Sequence, residues 1–394
     1  MIRQHNLPYH PVMRFQLRRV ALVACVLSAS LSASRPAVVV AQSTVAPTAA
    51  GVPSTLSDAE FWKLATDLSE PAGYFQSENF VGNELSFQWV IPELQKTVKP
   101  GGVYMGVGPD QNFTYIAALQ PKIAFIVDIR RGNFLQLLMY KALIELSTDR
   151  ADFAAKLFGR EKPAGLKPEA SADEVLAAVY AKPADRAIYD RTLTAINTHL
   201  TKTHGFGLTA DELKGLEFIY GSFFAWGPGI SYSNGQSGRG NPYPTYWDMQ
   251  VTTDTANKNH AYLASEEQFR AIKRMETANL IVPVTGNFGG PKAVKAVGAW
   301  IRARGGVVTT FYTSNVEQYL FQDNIWREYY RNVATLPIDA TSQFIRSVFN
   351  GAGGFGGARG GLRSAQLTCS IQDLLAAFAA GKINGYYDVI AMSK

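Results

Sequence analysis

The stretch GVYMGVGPDQNFTYIAALQPKIAFIVDI, residues 102–129, decides the fold. Its first part is a short apolar run that ends in glycines, which predicts a β-strand over 102–108 and a turn after it. Residues 111–119 favour a helix, and the continuous apolar run 122–129 is typical of a strand buried on both faces. Strand, helix and strand in short succession predict a βαβ unit with parallel strands and a right-handed crossover.

The same alternation continues along the chain. A helix is predicted over 133–147, and a strand, a helix and a strand are predicted over 280–284, 292–304 and 307–312. Further helices are predicted over 84–98 and 372–380, a long loop over 221–244, a flexible glycine-rich segment over 351–361 and a last strand over 386–391. These elements indicate an α/β fold: a Rossmann-like, mostly parallel sheet with helices on both faces. A helical and loop insertion is expected at about 150–260.

The amino-terminal segment is typical of a secretory signal peptide. Residues 1–41 contain five arginines, no acidic residue and the apolar run 20–27, and small residues precede a plausible cleavage site at Ala41. We therefore expect an exported protein, periplasmic or secreted. Lipid attachment at Cys25 and a twin-arginine signal at Arg18-Arg19 are alternatives.

The composition of the remaining chain narrows the function. A flexible linker is expected over 42–56, and a single domain over 57–394 begins with the helix-capping pair Ser57 and Glu60. The whole chain carries a formal net charge of +6, and loss of the five leader arginines brings it close to neutral. We therefore expect a small-molecule ligand rather than nucleic acid. We predict no intramolecular disulfide, since only Cys369 follows the leader, and no membrane span in the mature chain.

The glycine turn between the first strand and helix carries the candidate ligand site. Gly106 allows a tight turn, and Gly108 lets the backbone approach a ligand closely. Amide groups at the start of the helix, near Asp110 and Asn112, favour polar or anionic groups. Asp128 lies at the end of the second strand, where an acid can accept hydrogen bonds from a ribose. The alternative is a plain strand–helix turn.

The residues after Asp128 leave a second cofactor open. Arg130 and Arg131 could pair with the 2′-phosphate of NADP, which would make the protein an NADP oxidoreductase. They could equally be solvated residues at the start of the helix. The third glycine of the dinucleotide fingerprint is replaced by Gln111 or Asn112, which argues against NAD.

The run 104–133 resembles the first motif and the acidic second-strand end of class I S-adenosylmethionine-dependent methyltransferases. The segment 280–312 looks like the fourth and fifth strands of those enzymes. Residues 70–320 also resemble an uncharacterised family of exported bacterial proteins with a methyltransferase-like fold. The blocks Gly108-Pro109-Asp110-Gln111-Asn112-Phe113-Thr114-Tyr115-Ile116 and Asp128-Ile129-Arg130-Arg131-Gly132-Asn133 carry that second likeness.

The resemblance implies S-adenosylmethionine as the cofactor. Gly106 and Gly108 would line its methionine part and Asp128 would hold its ribose. The other cofactor-binding candidates are Asp110, Asn112 and Arg130. Tyr104 stands where these enzymes usually have an acid, and the loop Gly286-Asn287-Phe288-Gly289-Gly290-Pro291 keeps only an Asn and an aromatic of their Asp/Asn-Pro-Pro-aromatic loop.

The candidate catalytic residues follow the later strands. They are Asn287, after the strand at 280–284, and Glu317 and Tyr319, in the polar segment 312–319. Glu317 could act as a general base, or the segment could simply cap a helix. A polar cluster at Glu78-Asn79 and Asn83-Glu84 could close over the same cleft, although a solvated turn is the alternative.

Other catalytic constellations are not predicted. His199 and His204 are five residues apart, a spacing that does not align side chains on an α-helix, so we predict no metal site. No G-x-S-x-G nucleophile elbow occurs, which leaves serine hydrolysis unsupported. Five aromatic residues could wall a ligand or pack under a loop: Trp226, Tyr232, Tyr243, Tyr246 and Trp247.

Two functions fit these features. The first is an S-adenosylmethionine-dependent methyltransferase that acts on a small substrate. The second is a non-catalytic exported or envelope binding protein that reuses the methyltransferase-like fold. The second alternative accounts for the export signal, for Tyr104 in place of an acid and for the altered loop at Asn287.

Overall fold

A mostly parallel sheet of six strands forms the centre of the protein. The computed structural model describes residues 51–232, 243–349 and 364–394, and these described residues belong to one compact unit. The predicted signal peptide 1–41 and the glycine-rich segment 351–361 lie outside the described residues. The strands are β1 Val103–Gly106, β2 Ile123–Asp128, β3 Ile281–Thr285, β4 Val308–Ser314, β5 Gln343–Phe349 and β6 Ser364–Ser370.

The strand order is β3-β2-β1-β4-β5-β6. Neighbouring strands from β3 to β5 are parallel, and β6 pairs antiparallel with β5. The chain runs outward from β1 to β3 on one side and then returns to start β4 on the other side of β1. A crevice therefore opens between β1 and β4, at the carboxyl ends of the strands, because the connections leave these two strands in opposite directions.

Helices surround this sheet in the described part of the chain. They are α1 Asp58–Leu68, α2 Ile91–Thr97, α3 Gln111–Leu119, α4 Arg131–Glu145, α5 Arg150–Leu157, α6 Ala172–Tyr180, α7 Arg186–Thr198, α8 Ala210–Trp226, α9 Tyr246–Val251, α10 Glu266–Thr277, α11 Ala293–Arg302, α12 Val316–Gln322, α13 Trp326–Val333, α14 Ile371–Ala379 and α15 Tyr386–Ala391. None of these helices combines the length and apolar character that a membrane crossing requires.

The βαβ prediction from residues 102–129 is confirmed. β1 and β2 are parallel, with Val103 opposite Ile123 and Gly106 opposite Ile126. Every residue of β1, β2 and β3 is buried, as expected for parallel strands covered on both faces. The α/β class is therefore correct, and α5 to α9 lie between β2 and β3 in the range 150–260 where an insertion is expected.

The start of the ordered domain follows the predicted capping box. The Ser57 side chain accepts from the Glu60 amide, and the Glu60 carboxylate accepts from the Ser57 amide. The predicted linker 42–56 overlaps residues that pack on the core, since Val52 and Leu56 contact it. The Leu56 amide also donates to the carbonyl of Ala278 at 3.0 Å.

Three local predictions are wrong. Residues 386–391 form helix α15 rather than a strand. The backbone amides of Asn384 and Gly385 donate to the Asp388 carboxylate and so cap the start of the helix. A short apolar run does not by itself distinguish a strand from a helix. The segment 280–312 supplies β3 and β4, not a fourth and fifth strand. Residues 221–226 of the predicted loop complete α8, and residues 233–242 lie outside the described residues.

Strands β5 and β6 were not predicted, and the reason is physical. β5 carries Arg346 at its centre, a fully buried guanidinium that pairs with Glu317 on α12. β6, Ser364–Ser370, is mostly polar and only partly alternating in burial. Neither strand has a continuous apolar run, and the partners that allow Arg346 and Gln366 to be buried, Glu317 and Glu84, lie far away in the sequence.

Replacement of Gly106 by Ala should destabilise the protein by about 1–3 kcal/mol, as overpacking of a filled core does. A methyl group there would lie 2.0 Å from Oδ1 of Asn112 and 2.8 Å from Cε1 of Tyr104. Urea unfolding of the full chain measures the effect. The control is Gly132→Ala in α4, where the added methyl group meets nothing within 4 Å. An equal loss in both variants would show that the packing at the end of β1 is not tight.

Candidate functional site

A cleft lies at the carboxyl ends of the first four strands. Its volume is about 170 Å³, and segments after β1, β2, β3 and β4 line it together with the chain that precedes the first of these strands. Its lining residues are Tyr74, Phe75, Asn79, Val81, Gly82, Asn83, Glu84, Val107, Gly108, Pro109, Gln111, Val127, Asp128, Ile129, Arg130, Tyr232, Gly286, Asn287, Phe288, Tyr312, Ser314, Asn315, Val316, Tyr319, Leu320 and Asp323. This is the crevice that the strand order creates.

The glycine loop is shaped by one buried amide. The side-chain nitrogen of Asn112 donates to the carbonyls of Val107, Gly108 and Pro109 at 2.9, 3.2 and 2.7 Å. Its oxygen accepts from the Tyr104 hydroxyl at 2.9 Å. Tyr104 therefore supports the loop from within the core, and Asn112 is a positioning residue that does not line the cleft.

The two predicted glycines have different roles. Gly106 does not line the cleft: it lies against Asn112 and Tyr104, where a Cβ atom would collide. Gly108 lines the cleft with φ of +80°, and no atom lies within 4 Å of the position that a Cβ would take. Because L-residues rarely adopt this conformation, Gly108 is required for the loop and leaves open space beside it.

Asp128 lines the same cleft, and an arginine covers it. The Arg130 guanidinium donates to Oδ1 at 3.0 Å through Nε and to Oδ2 at 2.8 Å through Nη2, and the Arg130 amide donates to Oδ1 at 2.8 Å. Both side chains are about nine-tenths buried or more. A hydroxyl that binds Asp128 must therefore share its oxygens with Arg130 or displace it.

The arginines do not form a free phosphate clamp. Arg130 is bound to Asp128 and to the carbonyl of Glu78. Arg131 pairs with Glu212 at 2.6 Å and stacks on the ring of Phe134 at 3.7 Å. Each guanidinium already has a protein partner, so a 2′-phosphate could bind either arginine only by displacing an acidic side chain.

Glu84 is the most deeply held acid of the cleft. Its Oε2 accepts from Gln111 Nε2 at 2.8 Å, from the Tyr312 hydroxyl at 2.8 Å and from Gln366 Nε2 at 2.5 Å, and its Oε1 accepts from the Ser314 hydroxyl. Within the described residues, Glu84 has no lysine, arginine or histidine as an ion-pair partner. This carboxyl group is 1% exposed and its donors are neutral, so a positively charged ligand group would meet no competing side-chain cation beside it.

The backbone is strained where β4 enters the cleft. Ser314 has φ of +52°, a left-handed conformation that costs a residue with a side chain about 1–3 kcal/mol. The pairing of β4 with β5 also shifts register between Tyr312 and Ser314. The strained turn aims the Ser314 hydroxyl at Glu84, which is a pattern common at ligand sites.

The polar cluster at residues 78–84, before the first strand, contributes to the cleft rather than forming a solvated turn. Asn79, Asn83 and Glu84 all line the cleft. Asn79 has φ of +50°, and its buried Oδ1 has no hydrogen-bond partner among the described residues. An unsatisfied buried acceptor beside open space is suited to a ligand donor.

The candidate catalytic residues divide into two groups. Asn287 and Tyr319 line the cleft: Asn287 Oδ1 accepts from the Gly289 amide at 2.9 Å, and the Tyr319 ring packs edge-on against Phe75 at 5.2 Å between centroids. Of the five predicted aromatic residues, Tyr232 also lines it, whereas Tyr246 is buried in the core.

Glu317 does not line the cleft, and the prediction of a general base there is wrong. Its carboxylate is 1% exposed, pairs with Arg346 and accepts from the Tyr330 hydroxyl at 2.8 Å. Burial opposes the charge on Arg346, but the adjacent Glu317 carboxylate raises the arginine pKa above its ordinary value. An acid in this ion pair joins α12 to β5 and cannot take a proton from a substrate.

Asp110 also faces away from the cleft. Its Oδ2 accepts from the Tyr262 hydroxyl at 3.0 Å and from Gln250 at 3.3 Å, and Tyr262 bonds to Tyr246. Burial raises the pKa of Asp110 to about 7, although the Tyr262 hydrogen bond opposes this. Asp110 therefore belongs to a buried tyrosine network rather than to a cofactor site.

The histidine prediction fails because of an unusual helical turn. Residues His199–Thr203 form a π-helical turn, and the His204 amide donates to the carbonyl of His199 at 3.0 Å. A π turn has i to i+5 hydrogen bonds, so it aligns residues five apart. His199 and His204 therefore meet, and both contact Glu145 at the end of α4.

The chain belongs to a protein family whose model matches residues 79–368 and is described as Domain of unknown function (DUF7790). The matched segment begins at Asn79 in the cleft and ends within β6, so it contains Glu84, Gly108 and Asp128. No curated protein sequence matches the chain.

Asp110→Asn should remove a pH dependence of stability. Because the folded-state pKa of Asp110 lies above the ordinary value of 3.8, the native protein binds this proton more tightly than the unfolded chain. The free energy of unfolding should therefore fall as pH rises from about 4 to 7, by at most about 1.4 kcal/mol per pH unit. Urea unfolding at pH 5 and pH 7 should show a shallower fall in the variant.

Asp254→Asn is the matched control for this pH experiment. Asp254 is buried but accepts from His260 at 2.8 Å, and although burial alone would raise its pKa, its hydrogen bonds lower it. Because its folded-state pKa lies below the ordinary 3.8, Asp254 is ionised in both the folded and the unfolded chain between pH 5 and pH 7, so this variant should keep the wild-type slope. An unchanged slope in Asp110→Asn would contradict the assignment.

Proposed function

We propose that the cleft binds S-adenosylmethionine and that the protein is methyltransferase-like in fold and ligand. The observation that carries the proposal is that Gly108 and Asp128, predicted from the sequence to bracket a nucleoside, line the same cleft as the buried acid Glu84. Supporting it, the strand order β3-β2-β1-β4-β5-β6 is that of doubly wound nucleotide-binding sheets, with β6 antiparallel as a departure.

The charge of the cleft suits a cationic nucleoside. Among the described residues, its ionisable lining consists of the acids Glu84, Asp128 and Asp323 and the single cation Arg130, apart from tyrosines. S-adenosylmethionine carries a sulfonium and an ammonium group against one carboxylate. In a partly buried site, opposite charges attract more strongly than in water.

Each part of the ligand has a complementary group. Asp128 would accept from the ribose hydroxyls, and the open backbone at Gly108 would admit the methionine part. Glu84 would face positive charge, and Arg130 would pair with the carboxylate if it leaves Asp128. Asn79 Oδ1 offers an acceptor to an amino group. Ligand pockets usually enclose roughly 300–1,000 Å³, so part of the ligand would project beyond this smaller cleft.

Bound S-adenosylmethionine would supply an electrophilic methyl group. Among the catalytic candidates, only Asn287 and Tyr319 lie in the cleft, where they could orient a methyl acceptor. Glu84 accepts four hydrogen bonds and is better suited to hold a cation than to take a proton. The substrate would be a small molecule whose nucleophile needs little activation.

A second function is favoured by one observation, the loss of Glu317 to its ion pair with Arg346. With that acid withdrawn, a non-catalytic exported protein that binds the same ligand needs no base. The two functions differ in whether the methyl group leaves. Mass spectrometry after incubation of the protein with methyl-labelled ligand and a small-molecule cell extract distinguishes them: labelled product supports catalysis, and intact ligand supports binding alone.

Calorimetry on the full chain tests the ligand. We expect saturable binding of S-adenosylmethionine. Asp128→Asn should weaken the binding of both S-adenosylmethionine and S-adenosylhomocysteine by roughly 10- to 100-fold, because a charged hydrogen-bond acceptor is lost. Glu84→Gln should weaken S-adenosylmethionine more than the uncharged thioether, because only the former carries a sulfonium.

The control is again a buried acid outside the cleft. Asp254→Asn removes a carboxylate that pairs with His260 and does not line the cleft, so it should leave both affinities unchanged. Absence of binding to the wild-type chain at millimolar ligand would refute the proposal. Equal losses in Asp254→Asn and Asp128→Asn would also refute it, since the effect would then come from stability.

A further inference from the structure

A second polar cluster lies where α1, α4 and the π turn after α7 meet. His199 Nε2 lies 2.6 Å and His204 Nε2 lies 2.7 Å from the same oxygen, Oε2 of Glu145, and the two nitrogens are 3.2 Å apart. All three side chains are largely buried, with exposures of 17%, 11% and 8%. None of them lines the cleft described above.

The outer contacts fix the chemistry of His204. Its Nδ1 lies 2.7 Å from Oδ1 of Asp58 on α1, and Asn279 donates to the same oxygen at 2.9 Å. Because a carboxylate only accepts, Nδ1 must carry the proton that lies between His204 and Asp58. In the neutral ring, Nε2 then carries no proton, and its lone pair is directed at Glu145 and His199.

Three atoms that can all act as acceptors thus converge on one point. An ionised carboxylate oxygen and two imidazole nitrogens repel each other at these distances unless a proton or a cation lies between them. A typical zinc site has histidine and carboxylate ligands, here His199, His204 and Glu145. It also has a carboxylate that binds the other nitrogen of a histidine ligand, here Asp58 on His204.

The geometry agrees with a tetrahedral metal. Two nitrogens bound to Zn²⁺ at about 2.0–2.1 Å are about 3.3 Å apart in a tetrahedron, close to the observed 3.2 Å between His199 and His204. The Glu145 oxygen needs to move outward by about 0.8 Å to take the third position. The partial exposure of His199 leaves room for water as a fourth ligand.

The π turn provides an independent reason to expect a ligand. π-helical turns are rare in proteins and are frequently found at functional sites. Here the π turn is what brings residues 199 and 204 to one side. The nearest competing cation is Lys141, whose ammonium donates to the other carboxylate oxygen of Glu145 at 2.7 Å and therefore leaves Oε2 available.

We propose that His199, His204 and Glu145 bind one Zn²⁺ ion, with Asp58 as the outer partner that orients His204. The ion would join α1, the end of α4 and the segment after α7, three elements far apart in sequence. The site is structural and does not depend on the ligand of the cleft.

Zinc titration of the full chain after treatment with a chelator tests this site. We expect one high-affinity Zn²⁺ per chain by calorimetry and a rise in the unfolding temperature when zinc is added. His199→Gln and His204→Gln should each weaken binding by about 100-fold or more, and Asp58→Asn by about 10- to 100-fold, as for outer-shell carboxylates. Lys202→Ala, an exposed change in the same turn, should bind as the wild type does.

Two results would overturn the proposal. One is the absence of stoichiometric zinc binding by the wild-type chain, which would mean that protons hold the cluster together. The other is unchanged affinity in His204→Gln, which would show that the zinc binds to other residues. If the histidine variants do not fold, anomalous diffraction from zinc-soaked wild-type crystals decides, with the peak expected between Glu145 and His204.

Discussion

The hydrogen bonds of the Glu84 carboxylate are the interaction on which the cleft depends. They join the segment before β1 to α3 through Gln111, to β4 through Tyr312 and Ser314, and to β6 through Gln366. A buried charge is costly unless donors surround it, so the four elements must arrive together. Burial and the Glu84 charge also raise the pKa of Tyr312 well above its ordinary value, which keeps that tyrosine a donor.

Glu84 and Asp128 divide the cleft into two different acidic positions. Asp128 is balanced by a fork of hydrogen bonds from Arg130, whereas neutral donors surround Glu84. A guanidinium can be exchanged for ligand hydroxyls, because the exchange leaves the arginine free to bind a ligand carboxylate. The carboxylate at Glu84 has no arginine to exchange in this way. This difference between the two acids is the reason for proposing a zwitterionic cation rather than a dinucleotide, whose phosphates would face Glu84.

The sequence predicts those parts of the fold and of the cleft whose interacting residues are close together in the chain. β1, α3 and β2 were predictable because their signals, the apolar runs and the turn at Gly108, are local. β5 was not predictable because it contains the charged residue Arg346, whose burial depends on its ion pair with the distant Glu317. Glu317 resembles a general base in the sequence because that ion pair is not visible there. The contact of His199 with His204 required a π turn that α-helical spacing rules out. The sequence also favours Asn112 as a ligand group, since its hydrogen bonds to the loop carbonyls are not evident from its position in the sequence.

A crystal structure of the full chain with S-adenosylmethionine would show whether the cleft binds this ligand as proposed. We expect ribose hydroxyls within hydrogen-bond distance of Asp128, the sulfonium on the Glu84 side and Arg130 turned from Asp128 toward the ligand carboxylate. A ligand bound elsewhere, or a cleft in which Arg130 still covers Asp128 at saturating ligand, would contradict the proposal.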